Sequence, residues 1–172
     1  MKKFFYVMAA AAALLLIFYV YIGGFTAPDV ITSTSKTMYI AGQPFKGSIK
    51  DEALGEAFSK AGNILEDSML IGVLGSVYYN NPENEGDSLI AFIGIVVPDK
   101  NVTLPEGYEL RTIEGGRKVL RAEVNASYMV APGKLYGALF EYAEQHKIEL
   151  EKFYVEWFPE ENKGVVEVPV KQ

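Results

Sequence analysis

Residues 153–170 read FYVEWFPEENKGVVEVPV. Two runs rich in valine and aromatics, 153–158 and 164–170, flank the polar cluster Pro159-Glu160-Glu161-Asn162-Lys163, the pattern of a β-hairpin. Upstream, Val77-Tyr78-Tyr79 followed by Asn80-Asn81-Pro82-Glu83 has the same form, and residues 69–79 and 88–97 predict a first hairpin around 80–87. Each hairpin follows an amphipathic helix. In residues 51–64 the helical spacing falls on Leu54, Phe58, Ala61 and Ile64. The second helix opens at Pro132-Gly133, runs to about His146, and carries Leu135, Leu139, Phe140, Tyr142 and Ala143. A strand precedes each helix, at 37–43 and 117–124, and residues 108–113 allow one more short strand. The order is therefore β-α-β-β twice, offset by about 80 residues, and the fold class is α+β. One helix on three strands buries too little apolar surface to stand alone, so the repeats must share a core within one domain.

The chain begins differently. Met1-Lys2-Lys3 precedes FFYVMAAAAALLLIFYVYIGGF, residues 4–25, which contain no charged side chain. A helix of that length spans roughly 33 Å, enough for a hydrocarbon core of about 30 Å. A cleaved signal peptide usually has a shorter apolar region, about 7–15 residues, ending in small residues. Here the run ends in Val20-Tyr21-Ile22-Gly23-Gly24-Phe25 without an Ala-x-Ala site, so residues 1–25 are expected to be an uncleaved transmembrane signal anchor. Tyr19 and Tyr21 suit one membrane interface. Lys2 and Lys3 place the positive flank on the N-terminal side, which predicts a cytosolic N-terminus and a domain on the periplasmic or extracytoplasmic side. Residues 26–35 (TAPDVITSTS) read as a tether, and 36–172 as the domain.

With 16 Lys+Arg against 22 Asp+Glu the chain is acidic, with a net charge of −6, which argues against nucleic acid as a partner. There are no cysteines, which excludes disulfides, thiolate metal sites and a Cys nucleophile. The single histidine, His146, lies at a polar helix end and reads as a solvated cap, so a multi-His metal site is excluded. Glu83, Glu85 and Asp87 read as a solvated turn, because the EF-hand spacing is missing. Asn101-Val102-Thr103 and Asn125-Ala126-Ser127 are glycosylation sequons, meaningful only in a eukaryotic secretory lumen. Ser76 and Ser127 have no visible base, and no cofactor motif is present.

Three segments resemble the GyrI-like family of small-molecule-binding domains, over roughly residues 37–170. Tyr78-Tyr79-Asn80-Asn81-Pro82 is similar to the family's Tyr-Tyr-Asp-x-Pro segment. Ala131-Pro132-Gly133-Lys134-Leu135-Tyr136 sits where the family starts its second helix, and Val155-Glu156-Trp157-Phe158 with Val165 to Val170 resembles its final Glu-x-aromatic hairpin. Members of that family include effector domains of multidrug-sensing regulators, gyrase inhibitors, hydrolases of strained electrophiles, and the domain of a mammalian ER-phagy receptor with an N-terminal anchor. The anchor and Tyr-Tyr-Asn-Asn-Pro resemble the last most. The chain departs from that receptor in ending right after the last strand, and from the regulators in carrying no helix-turn-helix. The resemblance implies a ligand pocket containing Glu156.

By strand alternation Tyr154, Glu156 and Phe158 share one face, a carboxylate among aromatics. Such a group is either a solvated hairpin residue or a pocket charge that attracts an organic cation. Tyr78 holds the equivalent place in the first repeat, with Tyr79 on the other side of its strand, while Tyr136 and Tyr128 flank the start of the second helix. Trp157 is expected to face away from Glu156 and to pack under the second helix. The expected ligand site is thus Glu156 with Tyr78, Tyr154, Phe158 and Tyr136. The expected function is binding of a small apolar or cationic molecule between the two repeats. A hydrolase using Glu156 as general acid/base is one alternative, and a protein-interaction adaptor is another. The membrane, through residues 4–25, is the second partner, and nothing in the sequence names a protein partner.

Overall fold

A computed structural model describes residues 2–82 and 88–171. The acidic turn residues Glu83, Glu85 and Asp87 fall outside them. The elements are α1 (Lys2–Tyr21), β1 (Asp29–Thr34), β2 (Met38–Gly47), α2 (Glu52–Glu66), β3 (Val73–Tyr78), β4 (Leu89–Val97), β5 (Glu109–Ile113), β6 (Lys118–Val124), α3 (Ala131–Gln145), β7 (Tyr154–Glu160) and β8 (Lys163–Pro169). The β-α-β-β unit occurs twice, as β2-α2-β3-β4 and β6-α3-β7-β8. Asp51 holds an extended backbone at the N-cap of α2, and Pro132 occupies the first turn of α3, where its missing N–H costs nothing.

All eight strands form one antiparallel sheet in the order β1-β6-β8-β7-β3-β4-β2-β5. The halves join at the central β7–β3 pair, with Gly75 opposite Trp157 and Tyr78 opposite Tyr154. The outermost strands are exchanged. β5 precedes the second unit but pairs with β2 of the first, and β1 precedes the first but pairs with β6 of the second. This corrects the reading of residues 26–35 as a tether: 29–34 are a six-residue edge strand, from Asp29 opposite Glu123 to Thr34 opposite Lys118. Ladder bonds to β6 hold the strand, although its side chains, mostly exposed, contribute little burial.

Both helices lie on one face. α2 packs on β2, β4 and β3, and α3 on β6, β8 and β1. The main cluster beneath them includes Tyr78, Leu89, Ile93, Leu120, Val166 and Val168, with Leu135 and Leu139 from α3. Ile95, Ala61 and Ile64 continue it under the C-terminal half of α2. Among the described residues no helix packs on the opposite face, yet Ile40, Val77 and Phe92 there are fully buried. Met38, Tyr79, Phe153 and Trp157 pack over them. Gly42, Gly94 and Gly75 are paired side by side across β2, β4 and β3, and a Cβ at Gly94 would run into the Ala41 carbonyl oxygen. Three bare positions in one row permit that close approach.

Trp157 belongs to this helix-free face, packed with Val77, Val155 and Phe153. The expectation that it lies under α3 is therefore corrected: alternation turns it away from Glu156, and Glu156 is on the helix side. Arginines cap the same face, Arg111 over Phe92 (4.0 Å), Arg117 over Phe153 (4.6 Å) and Arg121 over Trp157 (5.4 Å).

α1 is apolar along its length. Its segment Lys3–Tyr21 has a mean hydropathy of 2.2 and none of it is buried against the rest of the chain.

Candidate functional site

Because α2 covers one half of the sheet and α3 the other, the central β3–β7 pair lies between the helices and forms the floor of a cleft. The cleft has a volume of about 720 Å³, in the range that holds drug-sized ligands. Leu74, Tyr78, Glu156 and Phe158 rise from the floor. Leu54, Phe58, Gly62 and Asn63 line the α2 side, and Pro132, Gly133 and Tyr136 the α3 side. Ser59, Tyr128, Glu66, Ile49, Pro82 and Leu89 complete the described lining. Among the described lining residues the only charged side chains, Glu66 and Glu156, are both acidic.

Glu156 is the centre of the site. It sits opposite Ser76 in the β3–β7 register and is 3% exposed. The Tyr78 hydroxyl donates to Glu156 Oε1 at 3.4 Å. Glu156 Oε2 and Tyr136 Oη are buried without a hydrogen-bond partner. Burial pushes the Glu156 carboxyl up to about 7, against the opposing influence of the nearby Tyr136 and Tyr78 hydroxyls. Tyr78 and Tyr136 are held well above the ordinary phenol range, first by burial and then by the charge of Glu156. Near neutrality, then, the cleft contains a carboxylate balanced between its two protonation states and two phenols that stay protonated.

Four of the five expected site residues meet here: Glu156, Tyr78, Phe158 and Tyr136. Tyr154 does not line the cleft. It is buried one layer back, edge-on to Tyr136 at 5.9 Å and to Phe140 at 6.1 Å, so it positions the Tyr136 ring. Tyr79 points to the helix-free face, stacks edge-on with Phe153 and accepts a hydrogen bond from Arg111 at 2.9 Å. His146 stacks on Tyr142 at the far end of α3, away from the cleft. The α2 wall escapes a sequence reading that assigns Leu54 and Phe58 to the core, since one helical face can serve both core and cleft. The spacing of Leu54, Phe58 and Gly62, four residues apart, is the signal that marks it.

Among the described residues no group of three His, Asp or Glu side chains is placed to hold a metal ion. The chemistry available is that of a buried carboxylate, two phenols and an apolar wall.

No protein-family model matches the chain, and no curated protein does. Solved structures match it over nearly the whole domain. An integron cassette protein from Vibrio cholerae superposes with a TM-score of 0.65 at 12% identity, covering 85% of this chain and 99% of that one. The C-terminal domain of EcmrR gives 0.60 at 11% identity, over 84% and 98%. SAV2435, solved bound to tetraphenylphosphonium, gives 0.56 at 9% identity, over 83% and 94%. At these identities the likeness establishes a shared fold.

Proposed function

We propose that this chain is a membrane-anchored binding domain whose cleft takes a small, largely apolar cation, with the charge held by Glu156. The observation that carries this reading is the state of Glu156: a carboxylate 3% exposed, among aromatic side chains, with one oxygen unpaired and no basic residue among the described lining residues. Burying such a group is costly unless something else compensates. A lipophilic cation supplies both the opposite charge and an apolar body for Leu54, Phe58, Leu74 and Phe158 to cover, and the faces of Tyr78 and Tyr136 attract it further. The tetraphenylphosphonium bound by SAV2435, a protein of the same fold, is a ligand of this chemistry. The apolar run of α1 and the two lysines at its start support an anchor with the N-terminus cytosolic and the domain on the outer side.

The test is the thermal midpoint of the full chain in detergent micelles, titrated with tetraphenylphosphonium, beside Glu156→Gln. A ligand at about 100 times its dissociation constant adds about 2.7 kcal/mol to the folded state. A raised midpoint that Glu156→Gln abolishes supports the reading. An equal shift in both proteins removes Glu156 from the site, and no shift in either removes the cationic ligand.

A second reading rests on the same carboxylate. A group poised near pH 7 beside two phenols is suited to general acid/base chemistry, and a Listeria innocua hydrolase shares the fold at 13% identity and a TM-score of 0.52. Turnover of an electrophilic substrate that is lost in Glu156→Gln would distinguish hydrolysis from binding alone.

A further inference from the structure

The end of α1 is tied to one end of the cleft. The segment Lys3–Tyr21 has 19 residues and spans about 28 Å as a helix, close to the thickness of a hydrocarbon core. Ile22 therefore falls at the boundary between hydrocarbon and headgroups when α1 spans a bilayer. There its carbonyl accepts a hydrogen bond from the backbone N–H of Ser127 at 3.0 Å. A second tie follows, from Lys134 Nζ on α3 to the Thr26 carbonyl at 3.0 Å. Gly23, at φ +79°, makes the contact possible, because a Cβ there would lie 2.6 Å from the Asn125 carbonyl oxygen and 2.7 Å from Ala126 Cα. The loop between β6 and α3 is thus seated on the membrane end of the anchor.

That loop leads directly into the cleft lining. Tyr128, one residue beyond Ser127, lines it, as do Pro132 and Gly133 just before Lys134. Tyr128 and Met129 are nonetheless 59% and 63% exposed, two large apolar side chains displayed side by side. Phe25, 68% exposed, follows the anchor. A tyrosine flanked by apolar side chains is what the headgroup layer accommodates, and that layer extends several ångströms beyond the hydrocarbon edge marked by Ile22.

We propose that residues 127–130 lie in the headgroup layer of the membrane that α1 spans, so that the Tyr128 end of the cleft is a portal through which a lipophilic cation enters from the lipid leaflet rather than from water. This rests on the anchored binding function above and adds the route and the source of the ligand. It also accounts for a cleft with mostly apolar walls and acidic charge on a domain fixed at a membrane surface, where lipophilic cations accumulate.

The natural absence of cysteine permits a direct test in the full chain. Met129→Cys and Gln145→Cys, each labelled with an environment-sensitive fluorophore, are reconstituted in phosphatidylcholine vesicles with acyl-chain-brominated lipid as quencher. Gln145 closes α3 at its opposite end, about 20 Å from the portal. Both positions are exposed, so neither label disturbs the core. The thermal shift with tetraphenylphosphonium is recorded on the same samples. The expected result is at least twofold stronger quenching at 129 than at 145, together with a raised midpoint. Equally weak quenching at both positions, with the midpoint still raised, overturns the portal and leaves the binding function standing. Quenching at 129 with no shift overturns the ligand, and with it the proposed entry route.

Discussion

Glu156 and Glu167 lie on neighbouring strands, buried to 3% and 5% exposure on opposite faces of the sheet, and only Glu167 has an arginine. Val166 is the partner of Glu156 in the β7–β8 ladder, and Val155 that of Glu167. On the helix-free face Arg121 reaches Glu167 at 3.4 Å and Glu123 at 2.6 Å while covering Trp157. On the helix face nothing basic approaches Glu156 among the cleft residues. The two carboxylates therefore divide into one held by an arginine of the scaffold and one that no basic side chain among the described cleft residues neutralises.

The cost of burying Glu156 should appear as pH-dependent stability. Its folded pKa of about 7 lies above the ordinary value of 4.5, so the unfolded chain loses its proton first as pH rises. Below pH 4.5 both states are protonated and there is no penalty. Between 4.5 and 7 the stability falls, and above 7 the full loss, about 3 kcal/mol at most, is present. Denaturant midpoints of the full chain from pH 4 to 8 should show this decline, and Glu156→Gln should flatten that part of the profile and be the more stable protein at pH 8.

Tyr136→Phe removes a buried hydroxyl that has no hydrogen-bond partner. At pH 4, where Glu156 is protonated, its effect on stability should be neutral to favourable, by up to about 1 kcal/mol. The same hydroxyl favours the ionised Glu156, so the carboxyl should titrate higher in the variant. Cation affinity at pH 7 should therefore drop while affinity at pH 9 stays within about twofold, a difference calorimetric titration can resolve.

Arg121→Met should destabilise the domain at pH 7, by about 2 kcal/mol after allowance for the partial exposure of the arginine, since Glu167 is left buried without its partner. Adding Glu167→Gln should recover part of that loss, whereas Glu156→Gln should add independently of it. Unfolding of the two double variants checks the separation, and coupling between Arg121 and Glu156 would contradict it.

The order of elements was legible because the hairpins carry two-residue alternation around Asn/Pro/Glu turns and the helices carry apolar residues three and four apart. β1 was not. Asp29-Val30-Ile31-Thr32-Ser33-Thr34 is an edge strand with mostly exposed side chains, so the ladder to β6 holds it without an apolar face for the sequence to display. Alternation correctly set Trp157 opposite Glu156, but the side of the sheet chosen by the helices depends on packing across both repeats. The same face rule grouped Tyr154 with Glu156, and only the placement of α3 put Phe140 and Tyr136 over Tyr154 and left Glu156 open to the cleft.

The most direct measurement is the affinity of the full chain for tetraphenylphosphonium as a function of pH, in micelles. If the ionised Glu156 holds the cation, the fraction competent to bind grows with a midpoint near 7, so affinity should rise about tenfold from pH 6 to pH 8 and then level off, with no such rise in Glu156→Gln. Binding that is independent of pH over this interval, or a rise of the same size in Glu156→Gln, would contradict the assignment of Glu156 as the charge that receives the ligand.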